Sequence, residues 1–183
     1  QDLERIVDRR NRPEHVEPGM RALLAELAGE LERLERSVEP TWTGAVEPFE
    51  RMYDRLRNVW GVVGHLVGVK NDPALRAAHE AVQPQVVMLG IRAAQSWPLY
   101  EAFVALQKGP EFAALEPAQR RIVDILVRDA VLSGVGFEGE AREQRVEERL
   151  LVLEMVVDAA GRDPGRLRDV ADARPAVALA REE

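Results

Sequence analysis

Apolar residues recur at helical spacing along nearly the whole chain. From Pro18 onward they fall at Met20, Leu23, Leu24, Leu27, Leu31, Leu34 and Val38, in steps of 3, 1, 3, 4, 3 and 4. That spacing keeps them on one stripe of an α-helix, which predicts an amphipathic helix with its stripe turned to a core. Glu26, Glu30, Glu32, Arg33, Glu35 and Arg36 take the other face, and Glu32 and Arg36 are placed for an i,i+4 ion pair. Pro18 suits the first turn, where a missing N–H is harmless, and Pro40 ends the helix.

A second helix is expected from about Thr43 to Val69. Val46, Phe49, Tyr53, Leu56, Trp60, Val63 and Val67 alternate steps of 3 and 4, a heptad seam. Gly61, Gly64 and Gly68 form an adjacent stripe. Glycine weakens a helix by roughly 0.8–1 kcal/mol per position, so three on one stripe predict another backbone close by. The stripe, with Trp60, is read as a helix-packing surface inside the bundle or a partner contact.

Asp72-Pro73 carries the N-cap and N1 signals of a third helix to about Gln95, which Pro84 is expected to kink or split. Pro98 to Lys108 follows, with Leu99, Phe103 and Leu106 inward, and Gly109-Pro110 reads as a turn. Glu116-Pro117 opens a helix with a wide apolar face of Ile122, Ile125, Leu126, Val127 and Val131, broken at Ser133-Gly134-Val135-Gly136. A last helix is expected from about Gly139 to Ala160, with Val146, Leu150, Leu153 and Val157 in its seam. Strand alternation and hairpin turns are missing from the pattern. The expected fold is all-α, a bundle of about six helices with antiparallel neighbours joined by Pro/Gly turns. Residues 1–160 form the helical domain and 161–183 an Arg/Asp-rich C-terminal arm.

Composition narrows the function. The 183 residues suit one domain and a tail. Twenty-five Lys+Arg stand against 32 Asp+Glu, a formal net charge of -7. An acidic chain lacks the basic footprint of a nucleic-acid binder and is not drawn to an anionic membrane surface. The apolar run Val59–Val69 is interrupted by His65 and is far shorter than the roughly 20 residues that cross a bilayer. With 0 cysteines there is no disulfide and no thiolate metal site. The first residue is Gln1 rather than Met, which points to a removed targeting segment or a trimmed chain. The expected location is therefore a mitochondrion or chloroplast, and otherwise the cytoplasm.

Candidate chemistry is sparse. His79-Glu80-Ala81-Val82-Gln83 misses the zinc motif H-E-x-x-H at its last position, so the second imidazole one turn on is lacking. His79 is read as a rim residue, His65 as a core histidine and His15 as part of the loop before the first helix. Di-iron bundles need Glu-x-x-His, but the residues three before the histidines are Arg12, Val62 and Arg76. Ser37, Ser96 and Ser133 are the only serines, each near a helix end, and G-x-S-x-G is absent. Gly134-Val135-Gly136 follows a helix, the wrong dipole end for a phosphate. No catalytic residue, metal ligand or cofactor site is assigned.

Several phrases are distinctive together. They are Pro13-Glu14-His15-Val16 with Pro18, Glu39-Pro40-Thr41-Trp42, Val46-Glu47-Pro48 and Asp54-Arg55-Leu56. Val59-Trp60-Gly61-Val62-Val63, His65-Leu66 and Gly68-Val69-Lys70-Asn71 follow. Leu99-Tyr100-Glu101-Ala102-Phe103, Glu111-Phe112 and Val131-Leu132-Ser133-Gly134-Val135-Gly136 complete the set. In this order and spacing, over about residues 13–160, the chain resembles the N-terminal helical region of the oligopeptidase A and thimet oligopeptidase family of zinc metallopeptidases.

The resemblance implies one wall of a channel that admits short peptides, with the H-E-x-x-H helix much later in the family's chains. No family ligand or catalytic residue maps onto this sequence. The last helix departs from the family: Leu150-Leu151-Val152-Leu153 and Met155-Val156-Val157 are apolar where the family is polar. Three readings follow. The first is a non-catalytic structural or interaction subunit of an organellar complex, with other protein subunits as partners and Trp60, Gly61, Gly64, Gly68, Leu150, Leu153 and Val157 as candidate interface. The second is a fragment or separately encoded half of an active peptidase. The third is a module that binds short peptides.

Overall fold

The computed structural model describes residues 13–70 and 72–136, all within one compact unit, Gln1–Arg145. A 3-10 turn, Pro13–His15, leads into α1, Val16–Ser37, and a π-helical turn, Trp42–Val46, leads into α2, Glu47–Lys70. Then come α3, Pro73–Ala94; α4, Trp97–Lys108; α5, Pro110–Ala114; and α6, Pro117–Leu132. The described residues are thus all-α, without strands.

Proline punctuation explains most of the helix starts. Pro73, Pro98, Pro110 and Pro117 each sit at the first or second position of their helix, where φ is already helical and no hydrogen bond is lost. Asp72 caps α3, its Oδ1 accepting from the N–H of Ala74 at 2.8 Å and of Leu75 at 3.4 Å. The Glu116 N–H donates to Gln119 Oε1 at 2.9 Å, which closes the first turn of α6.

The core centres on α1, which packs against α2, α3 and α4. Met20, Leu27 and Leu31 on α1 are fully buried. They meet Val46, Val63, Val82, Leu99 and Leu106 from the surrounding elements in one continuous cluster. Phe49 of α2 and Phe103 of α4 meet edge to face, centroids 5.6 Å apart, the arrangement that ring quadrupoles favour. Helix α6 packs mainly on α4, with Gln107 Nε2 donating to Asp124 Oδ1 at 2.7 Å.

Three expectations need correction, and a fourth falls on residues outside the description. Pro84 does not split α3, which runs unbroken from Pro73 to Ala94. Gly109-Pro110 is not a bare turn but opens the short helix α5. The expected helix 139–160 lies outside the described residues. The Glu32–Arg36 pair is not formed, and the carboxylates of α1 reach other partners. Arg55 binds Glu30 at 2.6 Å and Glu26 at 3.2 Å, and Arg92 binds Glu35 at 2.9 Å. Cross-helix pairing wins because packing brings α2 and α3 alongside the polar flank of α1.

The seam of α2 is also rotated from its expected course. Val46, Phe49, Leu56 and Val63 are buried as predicted, but Met52 and Val59 complete the stripe, while Tyr53 is 39% exposed. A strict 3.5-residue repeat drifts on a straight helix of about 3.6 residues per turn. His65, expected in the core, is exposed on the outward face.

Candidate functional site: the flanks of helix α2

Two flanks of α2 carry the side chains of interest. The first is at its C-terminal half. Trp60 is half-buried and stacks on His79 of α3, centroids 4.2 Å apart and planes 14° off parallel. This places His79 at the rim, as expected. Burial holds the His79 pKa below the ordinary histidine value, and Glu80 opposes that shift. The neutral imidazole is thus favoured against the indole.

Among the described residues the glycine stripe beside this stack meets no backbone. A Cβ built on Gly61, Gly64 or Gly68 would find nothing within 4 Å. Close packing of the stripe inside the bundle is therefore not what the described residues show. Val69 next to it is 63% exposed. Leu150, Leu153 and Val157, the rest of the candidate interface, lie outside the described residues.

The second flank has no signature in the sequence. The C-terminal half of α1 and the N-terminal half of α2 enclose an open groove of about 470 Å³. Glu30, Arg33, Leu34 and Ser37 line it from α1, and Pro48, Arg51, Met52 and Arg55 from α2. Three guanidiniums share this groove because α1 and α2 pack side by side. Sequence spacing alone could not reveal that, since Arg33 and Arg51 are 18 positions apart on different helices. Burial raises the pKa of nearby Glu50, and Asp54 adds to the shift while Arg57 opposes it.

Elsewhere the geometry is structural. The Trp42 N–H donates to Glu111 Oε1 at 3.0 Å and ties the π-helical turn to α5. Gln95 Nε2 donates to the Ser133 carbonyl at 2.8 Å and fixes the end of α6. Gly134 and Gly136 adopt φ of 85° and 86°, which L side chains rarely take. Among the described residues, no three His, Cys, Asp or Glu side chains are grouped to hold a metal ion. No described helix is long and apolar enough to cross a membrane.

The described residues form an all-α helical domain. The profile of the family "Neurolysin/Thimet oligopeptidase, N-terminal domain" matches residues 20–142, and the chain belongs to that family. It is 47% identical over 138 residues to a probable cytosolic oligopeptidase A of Arabidopsis thaliana, covering 74% of this chain and 20% of that protein. It is 48% identical over 138 residues to the organellar oligopeptidase A, chloroplastic/mitochondrial, of the same plant, covering 74% of this chain and 17% of that protein. Oligopeptidase A of Escherichia coli is 35% identical over 137 residues, covering 74% of this chain and 20% of that protein. The chain thus spans about a fifth of the length of these relatives. The family match, residues 20–142, lies within the 13–160 that carry the resemblance.

Proposed function

We propose that this chain acts as a non-catalytic helical interaction module, an accessory subunit that works by binding other proteins. The observation that carries the reading is one of content. Residues 20–142 match the N-terminal domain of a peptidase family, and the described residues group no three His, Cys, Asp or Glu side chains for a metal ion, whereas zinc hydrolysis needs several protein ligands around an open position. Bare apolar side chains support it: Leu132 is 62% exposed, and Val131, Met88 and Trp97 are about half exposed. Apolar residues that stay in water favour a partner surface. An organelle is the proposed setting, in keeping with the chloroplastic/mitochondrial relative. Purification of the native protein tests the reading. Co-purifying subunits, no bound zinc and no peptide hydrolysis are expected, and a strictly monomeric species would overturn it.

A second reading rests on the 47% and 48% identity to the two plant oligopeptidases. In it the chain is one piece of an active oligopeptidase that cleaves short peptides. The native transcript discriminates: a message encoding H-E-x-x-H downstream in the same frame supports this reading and removes the first.

A further inference from the structure

We propose that the groove between α1 and α2 binds a small apolar monocarboxylate, with Arg33 as the cation that takes the carboxylate. The proposal goes beyond the interaction module and does not depend on it.

The charges around the groove decide which guanidinium is available. Arg55 is held by Glu30 and Glu26 at 2.6 and 3.2 Å. Its charge is satisfied within the protein, and the pair fixes the groove's inner wall. Arg51 pairs with Glu47 at 3.0 Å, but both side chains are about half exposed or more. Such an exposed i,i+4 pair is weak, so Arg51 can turn to a ligand at little cost. Arg33 has no ion pair among the described residues. Its guanidinium folds back along α1 over Gly29, where an added Cβ would lie 3.3 Å from Nη1. Gly29 thus leaves the space that Arg33 occupies at the groove's edge.

The floor gives the other half of the ligand's chemistry. Met52 is 5% exposed, and Leu34 and Pro48 are half-buried. A ligand with an apolar end can cover these side chains while its carboxylate meets Arg33 and Arg51. Ser37 adds a hydroxyl whose hydrogen is engaged, since Ser37 Oγ donates to the Arg33 carbonyl at 3.1 Å. The groove volume of about 470 Å³ lies within the range of small-molecule sites. A second carboxylate would face Glu30, so the geometry favours a single negative charge. Charge-assisted bonds from planar guanidiniums suit a carboxylate better than a neutral amide.

The chemistry has two sources, the C-terminus of a short peptide ending in an apolar residue and a free alkyl carboxylate. Titration of the full chain distinguishes them, read by the Met52 methyl resonance. The probes are N-acetyl-Ala-Ala-Leu, its C-terminal amide and hexanoate. The free-acid peptide is expected to give a saturable shift, and the amide to bind about tenfold more weakly. Hexanoate binding as well as the peptide assigns the site to alkyl carboxylates, and tighter peptide binding assigns it to peptide C-termini. Arg33→Gln should weaken the free acid by about tenfold or more, while Arg36→Gln, exposed on the same helix outside the groove, should leave it unchanged. Both variants keep the core intact, which an unchanged Tm verifies. No saturable Met52 shift, or equal affinity for acid and amide, overturns the proposal. Neither result bears on subunit co-purification or zinc content, so the two proposals fail separately.

Discussion

In the first half of α2, Phe49, Met52 and Leu56 are buried, and Phe49 meets Phe103 of α4 edge to face. In the second half only Val59 and Val63 go fully inside. There Gly61, His65, Gly68 and Val69 face outward with nothing packed on the glycines. One helix therefore joins a half packed on its neighbours to a half whose outward glycines meet nothing among the described residues. The difference is not one of helix propensity, since the glycines lower propensity where packing is also thinnest. It lies in which neighbours are there: Phe49 of the first half meets Phe103 of α4, while the Trp60–His79 stack fastens the second half to α3.

The contrast makes a large energetic difference testable. Phe49→Ala should cost about 3–5 kcal/mol, because a buried ring is lost and a cavity remains. Val69→Ala should cost close to nothing, since Val69 is mostly in water already. Urea unfolding of both variants checks the pair. Comparable losses would mean that something in the free protein covers Val69.

A comparison of two glycines comes next in size. Gly44 lies in the π-helical turn that feeds α2. A Cβ there would sit 2.7 Å from Thr41 Oγ1 and 2.9 Å from Glu39 Cβ. Thr41 cannot move freely, because its Oγ1 accepts from the Gly44 N–H at 3.0 Å and caps the turn. Gly44→Ala should therefore destabilise by about 1–3 kcal/mol. Gly64→Ala, with open space for its methyl, should instead stabilise the isolated chain by about 0.5–1 kcal/mol through helix propensity. Thermal unfolding separates the two signs. A destabilising Gly64→Ala would show that the stripe is packed after all, and a stabilised variant that loses a native partner would show what the glycines are kept for.

Much of this architecture could be read in advance because helix starts and stripes are local. Pro73, Pro98 and Pro117 mark their helices by chain stereochemistry alone, and Asp72 caps as its spacing requires. What escaped depends on pairing. Met52 and Val59 look no more inward than Tyr53 and Trp60 until α1 and α3 are in place. His65 sits in an apolar run, yet the run winds around the helix and its outward face takes Gly61, His65, Gly68 and Val69. The groove of Arg33, Arg51 and Arg55 has no local signature, as it exists only where two helices meet. The Gly61, Gly64 and Gly68 stripe was visible as a pattern, but its expected neighbour is not among the described residues.

The smallest predicted effect concerns the stack that holds the bare half of α2. Unfolded His79 takes up its proton near the ordinary value of 6.5, and the folded residue only at lower pH because it is buried. Between those values the unfolded chain binds more protons, so this residue's contribution makes stability rise with pH. The contribution is complete above the unfolded value and is lost as pH falls toward the folded one. His79→Gln should flatten this part of the stability profile between about pH 5 and 7.5. A protonated imidazole over the Trp60 face would gain cation–π attraction, which pulls the other way. Trp60→Ala opens His79 to water and should return its pKa toward 6.5, which an NMR titration of the His79 Cε1–H resonance reads directly. An unchanged titration would show that Trp60 is not what buries His79, and that the outer half of α2 is fastened some other way.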